Sequence, residues 1–452
     1  MHTRQGCAIV IGASIAGLVA ARALSDSFEK VIVLDRDDLP AEPTVRIGVP
    51  QGRQVHGLLA GGRDVFEDLF PGFTHQLARA GALHGDVQED FHWYFDGRLL
   101  RPGHSGMTGV GASRVLLEHT LRAQTSALPG VTVRDHATVT GLRTDRERTR
   151  VTGVRVRYGQ TRDEVVVQGD LVVDASGRGS HTPAWFAELG YPRPKEERVR
   201  TGITYVSRLY RREPQFIGGR LLGVSVAPYP GQLRSGFVLA QEANQLIVSV
   251  GGWAGTQPPL DSDGMASYAD ELASPEVAEV IRHGTPLGDA VKMRFPASVR
   301  RHYSPLENTP AGYLVMGDAL CSLNPLFGQG MSVAALQGRS LLELLRDGRD
   351  DIERRFSEAA SEIAGRCWGL ALSAELRFPE VEGIRTSFMM EAGQYSDALR
   401  TAAAEDAELA TSFLRVTNLI DEPIRLYEPG IRARILAHGG GRPRPRTSLP
   451  FQ

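Results

Sequence analysis

The sequence predicts an α/β fold in which a discontinuous domain with a parallel sheet is interleaved with a mostly antiparallel sheet and followed by a helical C-terminal region. Three observations support this prediction. The chain opens with an apolar run, a glycine-rich turn, an Ala- and Leu-rich stretch and a second apolar run. Residues 200–300 consist mainly of short runs with the alternation of β-strands. After residue 332, apolar residues recur at three- and four-residue spacing, which is typical of helices.

The opening segment has the order strand, glycine turn, helix, strand and acid. The first apolar run ends at Gly12, and the second ends at Asp35. Gly12 permits a tight turn, and Gly17 lets the helix pack closely on the strand. This order is typical of a Rossmann-like dinucleotide-binding unit, in which a pyrophosphate lies at the helix N-terminus and the acid binds a ribose diol. Ser14 replaces the usual second glycine; its Cβ crowds the phosphate, although its hydroxyl could donate to a phosphate oxygen.

A signal peptide is the alternative interpretation of this opening. Residues 7–24 are nearly uncharged, and Arg4 precedes them. However, glycines interrupt the apolar run, and a strand ending in Asp35-Arg36 follows at once. These features favour the dinucleotide unit.

A second glycine-rich segment, Leu314–Leu336, reads LVMGDALCSLNPLFGQGMSVAAL. An apolar strand runs into Gly317-Asp318, and a Pro- and Gly-rich loop then leads into an Ala-rich helix. Backbone N–H groups at such a junction can face an anion or an electron-rich ring. Asp318 can accept hydrogen bonds from sugar-like hydroxyls. This loop alone is a weak signal, but together with the opening unit it predicts a dinucleotide-type cofactor site.

The domain organisation follows from these segments. A further strand, Leu171–Val173, runs into the small-residue turn Asp174–Gly177 and belongs with the opening unit. We predict a cofactor-binding domain at 1–200 and 296–340 that includes a connecting region at 40–110, a substrate domain at 201–295, a helical region at 341–438 and a flexible tail at 439–452.

Composition excludes several classes of function. Lys+Arg 51 against Asp+Glu 53 gives a net charge of −2, so nothing resembles the basic footprint of a nucleic-acid-binding protein. Cys7, Cys321 and Cys367 are widely spread and form neither a disulfide framework nor a metal pair, which indicates a reducing, cytoplasmic location. No uninterrupted apolar run is long enough to span a bilayer.

Three motifs occur in the order shown by FAD-dependent monooxygenases of the aromatic hydroxylase and squalene epoxidase class, and the chain resembles that class from residue 7 to about 340. They are the Gly12–Gly17 turn, Asp174-x-x-Gly177-x-x-Ser180, and Gly317-Asp318 with its loop. The segment Arg46-x-Gly48-Val49-Pro50-Gln51, followed by His56, resembles more specifically bacterial flavin epoxidases that act on polyene chains in polyether pathways.

The resemblance implies a noncovalent FAD and a set of residues that bind it. These are Gly12, Ser14, Ile15, Ala16, Gly17, Asp35, Arg36, Arg46, Arg114, Val139, Gly177, Asp318, Pro325, Gly328, Gly330 and Met331. It implies no catalytic acid or base and no metal ligand. From the residues alone, an arginine such as Arg114 is more often a surface charge than a ligand, Asp174 could equally fix its turn or touch a cofactor, and His56 receives no chemical role.

The implied roles follow the parts of the cofactor. Asp35 would bind the adenosine ribose, and Val139 would offer its backbone to the adenine. Arg114 would reach the phosphates or the ribityl chain, and Asp318 would bind ribityl or phosphate-linked oxygens. The loop Pro325–Met331 would line the isoalloxazine ring.

The resemblance implies insertion of one oxygen atom from dioxygen into a hydrophobic unsaturated substrate, by epoxidation or hydroxylation, in bacterial secondary metabolism. The substrate would be a polyketide, a terpenoid or an aromatic compound, and NAD(P)H would supply electrons directly or through a separate flavin reductase.

The alternatives are a flavin reductase of polyprenyl-type double bonds, a flavin halogenase and a non-catalytic nucleotide-binding module. A halogenase would be expected to carry Trp-x-Trp-x-Ile-Pro and an active-site lysine, whereas Trp253 lies in Gly-Gly-Trp-Ala-Gly.

Overall fold

The computed structural model describes residues 5–160, 163–303 and 309–438, and the fold is a mixed α/β fold. The tail predicted to be flexible, 439–452, lies outside the described residues. Within the described ranges, no helix combines the length and hydropathy that a bilayer span requires.

A five-stranded parallel sheet forms the centre of the first part of the molecule. Its strands are β1 (Cys7–Ile11), β2 (Lys30–Leu34), β7 (Val131–Arg134), β11 (Leu171–Asp174) and β19 (Tyr313–Val315). They are arranged in the order β19-β11-β1-β2-β7. β1 and β11 are almost completely buried, because parallel strands covered on both faces are built from continuous apolar runs.

Two helices, α1 (Ile15–Ser25) and α4 (Arg114–Ser126), pack on this sheet, and α8 (Gly330–Arg346) packs on α1. The contact between α1 and α8 is very close, because a Cβ on Gly338 would lie 1.9 Å from Cγ1 of Val19. The first helix of the chain, α1, therefore packs directly on α8, the helix that follows the second glycine-rich loop.

A seven-stranded sheet forms the second layer. Its strands are β4 (Phe91–Phe95), β5 (Arg98–Leu99), β13 (Ile203–Arg211), β14 (Gly223–Val226), β15 (Arg234–Gln241), β16 (Gln245–Gly252) and β17 (Val291–Phe295). The order is β17-β13-β16-β15-β14-β4-β5, and every pairing except β14 with β4 is antiparallel. One face packs on α6 (Ser262–Ala269) and α7 (Pro275–His283).

Two strands of this large sheet, β4 and β5, come from the 40–110 region that the sequence predicts as a connecting part of the cofactor domain. β4 is an aromatic-rich run, and Trp93 of this strand pairs with Ser225 of β14. Such a run has high β-propensity and marks a strand, but the sequence does not tell which sheet it joins. The predicted boundary therefore differs from the sheet topology at this point.

Smaller sheets and helices complete the region before the C-terminal helices. They are β3 (Leu83–Asp86) with β6 (Thr108–Gly111); β8 (Ala137–Thr144), β9 (Val151–Tyr158) and β10 (Glu164–Gln168); β12 (Lys195–Val199), β18 (Ser298–His302) and β20 (Cys321–Ser322); and the helices α2 (Ala60–Leu69), α3 (Phe73–Arg79) and α5 (Thr182–Leu189).

The C-terminal region consists of α9 (Ile352–Glu375), α10 (Ser387–Ala403), α11 (Ala407–Thr417) and α12 (Pro429–Ala437). Phe413 of α11 contacts Phe95 of β4 edge to face, with ring centroids 5.1 Å apart. Asp96, in the turn after β4, pairs with Arg377 at 2.8 Å and with Arg400 at 2.6 Å. These contacts fasten the C-terminal helices to the edge of the large sheet.

Candidate functional site

The three motifs that the sequence singles out lie together at one end of the parallel sheet. A Cβ on Gly12 would lie 2.7 Å from the carbonyl oxygen of Ala175, in the turn after β11. A Cβ on Gly317 would lie 2.7 Å from Cβ of Ala16, in the first turn of α1. Both contacts join segments that are far apart in sequence, and β1, β11 and β19 all end at this edge. Ligands of open parallel sheets bind at this position, outside the carboxyl ends of the strands.

The glycines of the first motif are required by close backbone approach. Gly12 has φ +101°, and its N–H donates to the carbonyl of Leu34 at 2.8 Å. A Cβ on Gly17 would lie only 1.8 Å from the carbonyl oxygen of Gly12. The turn and the helix are therefore in direct contact, as the sequence predicts. Ile15 and Gly17 are buried, and Ala16 is half-buried beside Gly317.

Asp35 lies at the end of β2 and is held by three groups. Its carboxylate accepts from the N–H of Ala13 at 2.6 Å and from the N–H of Asp37 at 2.9 Å. Nη1 of Arg46 lies 3.3 Å from Oδ2 of Asp35. Carboxylate oxygens have more than one acceptor direction each, so this arrangement orients Asp35 and leaves capacity for a ribose hydroxyl. Arg36, the next residue, is exposed.

A buried acid that the sequence interpretation missed, Glu118 of α4, organises the charges around Asp35. Nη2 of Arg46 lies 2.7 Å from its Oε1, and Nη2 of Arg114 lies 3.0 Å from its Oε2. Burial by itself raises the pKa of Glu118, but attraction from Arg114 and Arg46, with hydrogen bonds from Ser14 and Arg46, brings that pKa below the ordinary value. Glu118 is thus a buried carboxylate that orients two arginines.

The spacing of Glu118 four residues after Arg114 places both on one helix face, and this is the signal that could have identified it. The residues next to Arg46 give a similar signal, which is recognisable only once the structure is known. Its neighbours Val45 and Ile47 are exposed, whereas its own side chain is buried in the charge cluster.

The hydroxyl of Ser14 bonds to two side chains of α4. It donates to Glu118 Oε2 at 2.8 Å and accepts from Nη2 of Arg114 at 2.8 Å. Since a serine has one hydroxyl proton, Ser14 cannot at the same time donate to a phosphate oxygen. In this arrangement the nearby carboxylate takes the hydroxyl proton of Ser14.

The two terminal nitrogens of Arg114 differ in their partners. Its Nη2 bonds to Ser14 and Glu118, whereas Nη1 is buried and has no hydrogen-bond partner among the described residues. A buried guanidinium nitrogen without a partner is unfavourable, and an anion bound beside it removes that cost. Arg114 is therefore not the surface charge that remained open from the sequence.

Asp174 fixes its own turn. It is fully buried and accepts from the hydroxyls of Ser176, Ser180 and Thr182, and from the N–H of Ser176. Gly177, with φ +81°, has open space around the position of a Cβ. The structure thus supports the turn-fixing alternative for Asp174 and leaves Gly177 beside an open region.

Arg301 of β18 fastens this turn to the second glycine-rich segment. Its Nη1 donates to the carbonyl of Ala319 at 2.9 Å, and its Nη2 donates to the carbonyl of Arg178 at 3.4 Å. Arg178 in turn donates to the carbonyl of Ala297 at 3.0 Å and lies over the ring of Phe295. Arg301 therefore holds the turn of residues 317–319 against the turn of residues 176–179, and Arg178 joins the latter turn to residues 295–297.

Asp318 occupies the centre of this arrangement. Among the described residues its carboxylate accepts no hydrogen bond, and it lies 3.9 Å from the position of a Cβ on Gly330, at the start of α8. Burial raises the pKa of Asp318 to about 6, and attraction from Arg178, Arg114 and Arg301 limits the rise. An acceptor is thus held without a partner at a helix N-terminus.

The loop between β20 and α8 is shaped by a short 3-10 turn, Pro325–Phe327. Gly328 ends this turn with φ +65°, and a Cβ there would lie 3.6 Å from the carbonyl oxygen of Gly57. Gly330 begins α8, and Met331 is buried in its first turn. The loop therefore faces the segment that follows His56.

Val139 lies on β8 near the end of β2. The N–H of Ala137, two residues earlier, donates to the carbonyl of Asp35 at 2.7 Å. A register shift follows Val139, so the β8–β9 ladder is irregular at this position. This places Val139 on the Asp35 side of the site.

His56 lies close to the charge cluster. Burial and the nearby positive charge of Arg114 lower the pKa of His56 to about 4, so the ring is neutral near pH 7. Its Nδ1 lies 3.0 Å from the carbonyl oxygen of Gln54, and because a carbonyl only accepts, Nδ1 carries the proton. Nε2 is consequently an acceptor.

The large sheet presents a mixed face to this region. Ser207 bonds to Gln54 at 2.5 Å and to Ser249 at 2.9 Å, and the row across the sheet continues through Phe237, Ser225 and Trp93. The opposite face carries the valines that pack on α6 and α7, namely Val206, Val224, Val238, Val248 and Val250. The face towards the cofactor motifs therefore combines hydroxyls with aromatic rings.

Comparison with known proteins places this arrangement in a family. No family model matches the chain. Protein Rv3254 of Mycobacterium tuberculosis is 34% identical over 444 residues, which cover 95% of this chain and 93% of that protein. The chain belongs to the same family as Protein Rv3254. Squalene monooxygenase of Mus musculus is 23% identical over 342 residues, which cover 75% of this chain and 54% of that protein.

Solved structures of low identity share the fold. A flavoprotein/dehydrogenase from Cytophaga hutchinsonii has a TM-score of 0.67 at 16% identity, over 96% of this chain and 99% of that one. PqsL of Pseudomonas aeruginosa in complex with 2-aminobenzoylacetate has a TM-score of 0.62 at 17% identity, over 82% and 97%. The flavin-dependent halogenase CmlS has a TM-score of 0.63 at 16% identity, over 92% and 77%. The chain therefore shares the fold of these proteins.

Proposed function

We propose that the chain is an FAD-dependent monooxygenase that inserts one oxygen atom from dioxygen into a hydrophobic unsaturated substrate, by epoxidation or hydroxylation, in bacterial secondary metabolism. The parallel sheet is then a Rossmann-like FAD domain. The observation that carries the proposal is the meeting of three motifs, distant in sequence, around a buried arginine nitrogen and a carboxylate that both lack partners among the described residues.

These residues fit FAD. The N-terminus of α1 and Nη1 of Arg114 suit the pyrophosphate, because both offer positive electrostatic character to an anion. Asp35 suits the adenosine ribose, and the carboxylate of Asp318 suits the hydroxyls of the ribityl chain. The positive φ of Gly328 lets the backbone of the Pro325–Met331 loop face a flat ring system.

Bound flavin, once reduced, would react with dioxygen and supply the electrophilic oxygen atom. The chain's own residues would exclude water and hold the π bond of the substrate. Phe237, Trp93 and Leu239 on the large sheet offer apolar contact, and the hydroxyls of Ser207, Ser225 and Ser249 lie on the same face. A substrate that is mainly apolar and carries a few oxygen groups, such as a polyketide, a terpenoid or a substituted aromatic, fits this face.

The lysines favour a monooxygenase over a flavin halogenase. The chain contains three lysines, Lys30, Lys195 and Lys292, and all three side chains are exposed. A halogenase is expected to carry a lysine amine inside its active site, and none of these three side chains is buried. A flavin reductase of polyprenyl-type double bonds remains the second candidate, because it would use the same cofactor site and the same apolar face.

Mass spectrometry with labelled dioxygen tests the reaction. The reduced holoprotein and a candidate polyketide, terpenoid or aromatic substrate are expected to give a product heavier by one labelled oxygen atom. A product that takes its oxygen from labelled water would contradict the proposal. A saturated double bond without added oxygen would favour the reductase. Turnover with NAD(P)H alone, compared with turnover that needs an added flavin reductase, identifies the electron source.

Substitution of Asp318 by alanine is expected to separate cofactor binding from folding. Loss of one hydrogen-bond acceptor weakens FAD binding by roughly 0.5–1.5 kcal/mol, or about 2- to 13-fold in the dissociation constant. Because the folded-state pKa of Asp318 is raised to about 6, the apoprotein holds this proton more tightly than the unfolded chain, and the contribution to stability falls as the pH rises through about 4 to 6. Apo Asp318→Ala is therefore expected to melt no lower than the wild type at pH 7.5.

Fluorescence titration with FAD and thermal melting of the apoprotein measure the two effects. Asp318→Asn, which keeps the shape and one acceptor oxygen, serves as the matched control and is expected to lose less affinity. An Asp318→Ala protein with unchanged FAD affinity would show that the carboxylate does not contact the cofactor.

A further inference from the structure

Glu375 is a buried acid that no motif of the sequence includes. It is the last residue of α9, and its side chain is 1% exposed. A helix C-terminus disfavours negative charge, and burial disfavours it further. Within the described part of the chain, no basic side chain contributes to its electrostatics. The helix C-terminus and burial therefore both disfavour the ionised form of Glu375.

The hydrogen bonds of Glu375 lead to the loop proposed to line the flavin. Asn324 donates from Nδ2 to Oε1 of Glu375 at 2.9 Å, and its own Oδ1 accepts from the N–H of Leu326 at 3.0 Å. Since an N–H can only donate, Oδ1 must face Leu326, and Nδ2 must face Glu375. The amide of Asn324 thus connects the carboxyl to the backbone of the Pro325–Phe327 turn.

A second contact joins Glu375 to the strand that returns from the large sheet. The hydroxyl of Ser298, the first residue of β18, lies 3.5 Å from Oε1 of Glu375. β18 pairs with β20, which leads into Asn324. The carboxyl is thus in contact with β18 and with the loop, and it belongs to the C-terminal helical region.

On the basis of the proposed function, we propose that Glu375 is a positioning residue. Through Asn324 it fixes the Pro325–Met331 loop against the flavin. The proton on its carboxyl alters how firmly that loop is held. A carboxylate accepts a charge-assisted, stronger hydrogen bond from Asn324, whereas the neutral acid accepts a weaker one. The C-terminal region thereby influences the cofactor without contacting it.

The titration of Glu375 falls in an accessible pH range. Burial raises its pKa to about 7, and the hydrogen bonds from Asn324 and Ser298 limit the rise. The groups that face the carboxyl, an amide and a hydroxyl, do not titrate. Asp318, at the cofactor site itself, has a pKa raised to about 6, so only the part of the pH dependence that Glu375→Gln removes comes from Glu375.

The test compares FAD-loaded wild type, Glu375→Gln and Glu375→Ala between pH 5.5 and 8.5 by the visible absorption of the flavin. Wild type is expected to show a spectral change with a midpoint at about pH 7. Glu375→Gln, which still accepts from Asn324 but cannot titrate, is expected to lose that change and to bind FAD as the wild type does near pH 6. The matched control is Glu380→Gln, an exposed acid five residues further on, which is expected to retain the change.

Glu375→Ala is expected to weaken FAD binding about 2- to 13-fold, the loss of one hydrogen bond. If that variant does not fold, the Glu375→Gln spectra still decide the matter. The same pH-dependent change in wild type and Glu375→Gln would overturn the positioning role, as would its absence from FAD-loaded wild type. A wild-type protein that binds no FAD would instead overturn the proposed function, and this inference with it.

Discussion

Replacement of Glu118 by alanine is expected to destabilise the protein by about 3–5 kcal/mol and to abolish FAD binding. The variant leaves Arg114 buried without its carboxylate partner, whereas Arg46 keeps Asp35 and Asp37, and an uncompensated buried charge costs this much in other proteins. FAD binding is lost as well because Glu118 orients both Arg114 and Ser14, and Ser14 lies at the start of α1. Denaturant unfolding of the apoprotein and FAD titration measure the two effects.

Two further variants make this prediction specific. Glu118→Gln keeps the shape and one acceptor oxygen but loses the charge, so its destabilisation is expected to lie between those of the wild type and Glu118→Ala. Glu279→Ala removes an exposed helical glutamate and is expected to change neither property. If Glu118→Ala unfolded at the wild-type denaturant concentration and retained FAD, the charge cluster would not organise the site.

Any side chain at position 17 is expected to disrupt the first turn. A Cβ there would lie 1.8 Å from the carbonyl oxygen and 2.8 Å from the carbonyl carbon of Gly12, and backbone atoms at the edge of a buried strand cannot move aside cheaply. Even Gly17→Ala is therefore expected to cost about 3 kcal/mol, the upper end of typical overpacking, and to lose FAD. Gly17→Leu is expected to give no folded protein. Thermal melting and flavin content report the outcome.

Gly393 provides the matched control, because it also lies inside a helix, α10, but a Cβ there would meet nothing within 4 Å. Gly393→Ala is expected to stabilise the protein by about 0.5–1 kcal/mol through helix propensity. Equal behaviour of the two alanine variants would mean that the contact between the turn and α1 is looser than the structure shows.

The sequence predicts the parts of the site that depend on local backbone geometry. Gly12, Gly17 and Gly328 mark a tight turn, a helix–strand contact and a loop with positive φ, and each requirement is visible from residue type and order. The mixed α/β class is confirmed, because hydrophobic periodicity separates the buried parallel strands from the alternating strands of the second sheet.

The parts that depend on long-range pairing could not be predicted in the same way. The partner of Arg46 is 72 residues away, and the hydroxyl of Ser14 is directed by a carboxylate 104 residues away. Likewise, alternation marks strand residues but does not tell which face meets the cofactor, and the valines of the large sheet pack on α6 and α7. Such pairings are fixed only when the chain is folded.

Titration of the apoprotein with FAD, followed by release of the flavin, tests the central claim most directly. We expect one FAD per chain, a yellow protein, and full recovery of unmodified FAD after heat or acid treatment, because the site holds the cofactor only through hydrogen bonds, charges and packing. A protein that binds no FAD after reconstitution, or one that retains the flavin covalently after denaturation, would contradict this account.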